Sequence, residues 1–190
     1  NDDYLVWNQA ARNQNFEDVA LIEAGGGDIY RYKKYTEAIL RAVSDDSSQM
    51  GITLCDRDDK KDATHDPGSL LPIKRLRCSS IENLLLTDEV LRTIKDPINL
   101  NDELDKVEVD SREQLIITAI KKDKKNTKIS KKLLKKIHST IDEHSSTSDW
   151  RIRVGRVLGM GRPRGELLDF LGEEIVKYIW GLPETSVENN

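Results

Sequence analysis

Only two cysteines, Cys55 and Cys78, occur in the 190 residues. Each closes an apolar stretch rather than taking part in a spaced framework, so the expectation is buried thiols in a reducing compartment, not a disulfide scaffold. Histidine is nearly as scarce, and His65, His138 and His144 share no metal-ligand spacing with the cysteines, which argues against zinc. Aromatic residues make up 5% of the chain, and none falls within its densest lysine run, so base stacking is not expected there. No apolar run approaches the roughly 20 residues that span a bilayer, so no membrane role is expected. No apolar stretch with a basic flank near the start marks secretion, and a cytoplasmic address follows as the expectation. The phosphate-cradling GxxxxGK[ST] pattern is missing and the dinucleotide glycine fingerprint is incomplete, which weakens a nucleotide-binding reading of the glycines at 25–27.

What is present is charge. Charged residues form 34% of the sequence and hydrophobic ones 37%, a balance that fits a globular protein of one domain, or a core with an extension. The net charge of -4 hides an asymmetry. Residues 121–164 hold nine lysines and five arginines against four acids, a surplus of ten positive charges, while the remainder carries a surplus of fourteen negative ones. Such a division suggests metal-binding carboxylates in one part and a polyanion contact in the other, although a charge run is also what any solvated face looks like.

Apolar residues 19–22 run directly into Glu23, Ala24, three glycines and Asp28, which reads as a short buried strand closed by a glycine turn. Ile29, Tyr32, Ile39, Leu40 and Val43 then recur at helical spacing up to a polar cluster at 44–49. Residues 50–55 form a second apolar run ending in Asp56, Arg57, Asp58 and Asp59. Strand, helix, strand makes a βαβ unit, whose parallel pairing sets both acid-bearing ends on the sheet edge where ligands bind in open α/β folds. Residues 60–68 read as a loop and 73–78 as a third strand. The spacing of Ser79 and Glu82 suits a capping box opening a helix over 83–86, and Thr87, Asp88 and Glu89 start another short one. Beyond Leu100 the pattern is helical over 111–122, 130–141 and 165–179, and residues 1–3 and 185–190 read as tails. The fold class expected is therefore α/β, with a parallel sheet core over 1–100 and a helical, basic extension over 101–190 packing on it.

Asp56 and Asp58, two apart at a strand end, suit a hard divalent cation, which takes oxygen ligands from one or two carboxylates and leaves other positions to phosphate and water. A turn with solvated acids is the plainer reading of the same tetrapeptide. A strand followed by glycines and an acid, then a helix, then a strand ending in Asp-x-Asp, resembles the TOPRIM domain over roughly residues 18–95. The acid at Glu82 resembles the additional acidic position of the OLD-like TOPRIM nucleases, with a capping role as the competing reading. The resemblance implies a Rossmann-like core, Mg2+ (or Mn2+) as cofactor, Asp28, Asp56, Asp58 and Glu82 as metal ligands, and cleavage of nucleic-acid phosphodiesters.

The match has a fault. With Gly25 as the family glycine and Asp28 as the distal acid, the catalytic glutamate position falls on Ala24. Either Glu23 serves in a shifted register, or the chain has alanine where active members have glutamate, which would silence proton transfer or a second metal. A late lysine beside a glycine, expected in OLD-like members, is replaced by the stretch 161–165, where Arg164 or Arg162 could supply the charge. Lys61 stands where topoisomerase and primase relatives have glycine, which disfavours those branches. Together these features resemble the stand-alone TOPRIM subunits of ATPase-linked anti-phage systems such as PARIS. That likeness implies an ATPase partner that restrains the nuclease, release on infection, self-association as a homodimer, and cleavage of host nucleic acid, with RNA such as tRNA favoured over DNA. The rival reading is a non-catalytic TOPRIM-like binding or regulatory module.

Lys121, Lys122, Lys124, Lys125, Lys131, Lys132, Lys135 and Lys136, set beside an apolar stripe at 129–141, are the expected nucleic-acid contact. Trp150, among Arg151, Arg153 and Arg156, is the nearest stacking candidate, although a core role suits it better.

Overall fold

The computed structural model describes residues 2–14, 20–23, 29–43, 51–57, 68–142 and 149–181. In chain order its elements are α1 (Asp2–Gln14), α2 (Ile29–Val43), β1 (Thr53–Cys55), β2 (Ile73–Arg75), a 3-10 helix (Ile81–Leu86), α3 (Asp88–Leu91), α4 (Leu100–Asp105), α5 (Ser111–Lys122), α6 (Lys131–Ile141), α7 (Trp150–Leu158), α8 (Gly165–Leu171) and α9 (Glu173–Trp180). The fold is α/β but mostly helical. Its described sheet has two parallel strands, with Thr53 opposite Ile73 and Cys55 opposite Arg75.

The expected first strand is not formed in its described part. Residues 20–23 have no regular structure and Ile22 is 64% exposed, while Val19 lies outside the described residues. Parallel pairing occurs instead between the second and third expected strands. A four-residue apolar run carries too little periodicity to distinguish a strand from an irregular segment.

The core explains why helices dominate. Leu84, Leu85 and Leu86 are fully buried, and around them close Val6 and Ala10 of α1, Ile117 and Ile120 of α5, Leu133 and Ile137 of α6, Val154 of α7 and Phe170 of α8. Residues from both halves of the chain therefore share one apolar cluster. Aliphatic side chains of this size contribute about 1.5–3 kcal/mol each when fully buried, so this cluster is what holds the small sheet in place. Trp150 belongs to it, with 5% exposure, and so is a core residue rather than a stacking platform.

Three further expectations are corrected. Asp2 and Asp3 are not a tail: they start α1, and Asp2 pairs with Lys131 and Arg151, each at 2.7 Å. The helix expected over 165–179 breaks at Gly172, whose φ of +93° favours glycine and re-aims the chain between α8 and α9. The third strand stops at Arg75: the N–H groups of Arg77 and Cys78 leave the sheet and both donate to the Phe170 carbonyl of α8, at 2.9 and 3.0 Å. No helix among the described residues is long and apolar enough to cross a membrane.

Candidate functional site

Parallel pairing brings the carboxyl ends of β1 and β2 to one edge, and Asp56 is the first residue past β1. Its Oδ1 accepts the N–H of Ile81 at 3.0 Å, so the carboxylate sits at the amino end of the 3-10 helix. Its backbone carbonyl accepts a hydrogen bond from the Arg75 guanidinium at 3.2 Å, and Arg75 also donates to the Tyr30 hydroxyl of α2 at 2.8 Å. Arg57 donates to the Arg77 carbonyl at 3.0 Å. One edge therefore gathers a carboxylate, two guanidinium groups and the start of a helical turn.

Cys78 lies beneath this edge. Burial first, and the charge of Asp56 second, push its thiol up to about 12, and its Sγ lies 3.2 Å from the Ser80 carbonyl as a donor. A thiol so suppressed is not a nucleophile at neutral pH. Both cysteines are buried and form no disulfide.

The capping role expected of Ser79 and Glu82 belongs to Ser80 and Asn83. The Ser80 N–H and hydroxyl both donate to Asn83 Oδ1, at 3.1 and 3.0 Å, while Asn83 Nδ2 donates to the carbonyls of Lys124 and Thr127, at 2.7 and 2.8 Å. The register moves by one because Asn83, wholly buried, can satisfy two loops at once, which a carboxylate without donors cannot. Glu82 is thereby relieved of the capping role. It is buried, and its charge is felt by Asp3 of α1 and Lys131 of α6. Burial first, and Glu82 second, raise the Asp3 carboxyl above its ordinary range.

Of the other residues singled out, Glu23 is exposed in the irregular segment before α2. Ala24, Asp28 and Asp58 lie outside the described residues. Arg164 is exposed at the amino end of α8, the end opposite Phe170. The first amides of α8 are taken by Glu89, which accepts from Glu166 and Leu167 at 3.0 and 3.1 Å. Arg162 donates to the Gly181 carbonyl.

The lysine run is largely internally compensated. Lys121 pairs with Asp105, Lys124 with Glu166 and Asp88, Lys125 with Asp169, Lys131 with Asp2, and both Lys132 and Lys136 with Glu113. Lys122 and Lys135 are exposed and make no ion pair among the described residues. Sequence reasoning counted these lysines and passed over Arg75 and Arg77. The signal for the latter was three basic residues within a stretch read as a strand.

Oxygen ligands suit Mg2+ or Mn2+, and a carboxylate oxygen has two lone pairs, so accepting the Ile81 amide leaves Asp56 able to serve a cation. Among the described residues no three of His, Cys, Asp and Glu converge as a complete protein cage would require. A cation that keeps waters and takes substrate phosphate needs fewer protein ligands than that. Compared with protein-family models, with curated proteins and with solved structures, the chain matches none.

Proposed function

We propose that this chain is a metal-dependent nuclease of the TOPRIM type and OLD-like group, silenced by alanine at the position of the family glutamate. The observation that carries this reading is the parallel pairing of β1 with β2, which sets Asp56 on the carboxyl edge beside the Arg75 guanidinium. In this reading Asp56, with Asp58 and Asp28, holds Mg2+ or Mn2+, and Glu82 is the additional acid. When bound, the metal supplies an activated water and neutralises charge on the phosphate under attack. Arg164 is the candidate for the remaining transition-state charge. The wider setting comes with the resemblance: a cytoplasmic effector of an ATPase-linked anti-phage system, restrained by its ATPase subunit, released to act as a homodimer, and cleaving host RNA such as tRNA in preference to DNA.

The test is Ala24→Glu. That protein, incubated with total RNA and with plasmid, should cleave RNA only when Mg2+ or Mn2+ is present, and its expression should be toxic. Adding Asp56→Asn should abolish cleavage while leaving the fold intact, because the amide oxygen still accepts the Ile81 N–H. Alanine at position 24 also favours the second reading, a non-catalytic TOPRIM-like module. That reading predicts that the Ala24→Glu protein binds nucleic acid and leaves it whole.

A further inference from the structure

Three of the chain's five tyrosines, Tyr30, Tyr32 and Tyr35, lie within six residues and are interspersed with Arg31, Lys33 and Lys34. All six belong to α2, which buries none of its residues and adds nothing to the apolar core. Polar contacts tie this helix to the rest of the fold instead. The Tyr30 hydroxyl accepts from Arg75, and Glu37 accepts the Leu71 N–H at 2.9 Å and the Ser69 hydroxyl while pairing with Lys33 at 3.0 Å. Glu37 is the only acid of α2, so its engagement leaves the outer face without a carboxylate of its own. That face carries Tyr32 and Tyr35, 47% and 57% exposed, beside the exposed Arg31 and Lys34, which make no ion pair among the described residues. The Arg31 guanidinium lies over the Tyr35 ring, 5.7 Å from its centre, a contact that orders both groups and leaves the positive charge uncompensated.

We propose that this face of α2 is a platform for single-stranded nucleic acid, on which Tyr32 and Tyr35 stack bases while Arg31 and Lys34 meet the backbone. Every base has a π-face, so tyrosine rings hold a strand without reading its sequence, and cations beside the rings neutralise its phosphates. Residues three apart on a helix are neighbours, about 5–6 Å apart at Cβ, which sets the two rings side by side for successive bases. The lysine run offers neither element: most of its cations face carboxylates, and no aromatic residue lies among them. Ile39 and Val43 continue the exposed stripe toward the far end of α2, but an aliphatic side chain stacks no base, so the platform stops at Tyr35. At its near end Tyr30 meets Arg75, which holds the Asp56 carbonyl, so the platform begins beside the edge proposed to carry the metal. The inference deepens the nuclease reading by naming where the strand is held, and it rests on that reading for its biological sense alone.

Binding is measured without metal and without cleavage, on the chain as it stands, by fluorescence anisotropy of a short labelled single-stranded oligoribonucleotide and of an abasic one of the same length. Tyr32→Leu and Tyr35→Leu should each weaken binding of the first about tenfold and leave the second unchanged, because only the first has bases to stack. Tyr35→Phe keeps a ring and should bind as the parent does. Lys34→Gln should weaken both oligonucleotides and lower the slope of log affinity against log salt by about 0.7, the share of one phosphate contact on a single strand. All four positions are exposed and outside the core, and circular dichroism checks that each variant keeps its helices. A parent chain that binds no oligoribonucleotide, or tyrosine variants that bind it as the parent does, overturns the proposal. So does an Ile39→Ser protein that loses as much affinity as Tyr35→Leu, since the stripe is then a general apolar face of the kind a protein partner covers. Should Ala24→Glu fail to cleave while the tyrosine effects persist, the nuclease reading fails and the platform stands.

Discussion

Asn83 uses its side chain in full. Its oxygen takes two donors from Ser80 and its amide serves two carbonyls of the loop before α6, and Asn83 itself is wholly buried. Truncation leaves buried donors and acceptors unmatched, each costing about 1–3 kcal/mol. Asn83→Ala should therefore lower stability by about 2–4 kcal/mol in urea denaturation, and the 3-10 helix, with Asp56 on its first amide, should loosen with it. His138 is the second buried polar group of consequence. Its Nε2 has no hydrogen-bond partner among the described residues, and Asp142 lies 3.8 Å away, already paired with Arg153. Burial first, opposed by Asp142 and reinforced by Arg153, holds the imidazole below its ordinary 6.5. A lowered pKa means that the native state binds the proton less well than the unfolded chain. The contribution is present above pH 6.5 and is lost as pH falls through the native pKa. Urea midpoints should fall between neutrality and about pH 5, and His138→Gln should flatten that part of the profile.

At the scale of elements, α1 packs closely against α7, and two glycines set the approach. A Cβ on Gly155 would stand 2.6 Å from both the Val6 carbonyl oxygen and the Gln9 Cβ, and Gly159 lies against Ala10 and Asn13 in the same way. Gly155→Ala gains about 1 kcal/mol of helix preference but must push α1 outward, an overpacking that costs about 1–3 kcal/mol. The expected result is a net loss, read as a lowered urea midpoint and faster hydrogen exchange in α1. This helix escaped notice in the sequence because it buries only Val6 and Ala10, a stripe too narrow to register as amphipathic. By contrast α2, α5 and α6 were legible. In α6 the buried Leu133, Leu134, Ile137 and Ile141 recur at helical spacing behind the Ser130 cap. In α5 the Asp110 carboxylate caps Arg112 and Glu113. The break at Gly172 was not legible, since apolar spacing runs through it and only the positive φ, a tertiary outcome, ends α8 there.

For the whole molecule, the division between an acidic part and a basic part resolves into cross-pairing. Lysines of 121–136 reach acids on α1, α3, α4, α5 and α8, so the basic segment is tied to several helices through ion pairs. Exposed pairs of this kind contribute little singly, about 0–1 kcal/mol. At the carboxyl edge of the sheet, Arg75 holds the Asp56 carbonyl and Arg57 reaches the Arg77 carbonyl. Of that edge, Asp56 was legible because an apolar run that ends in acids is a strand-end signal. The arginines were not, because basic residues on a short strand gave no pattern of their own until β2 paired with β1. The account depends on divalent metal at this edge, and the most direct measurement is a Mn2+ titration of the chain followed by electron paramagnetic resonance, beside Asp56→Asn. A saturable Mn2+ site weakened about tenfold or more by Asp56→Asn is the predicted result. A chain that takes up no Mn2+, or an Asp56→Asn protein that binds it as the parent does, would contradict it.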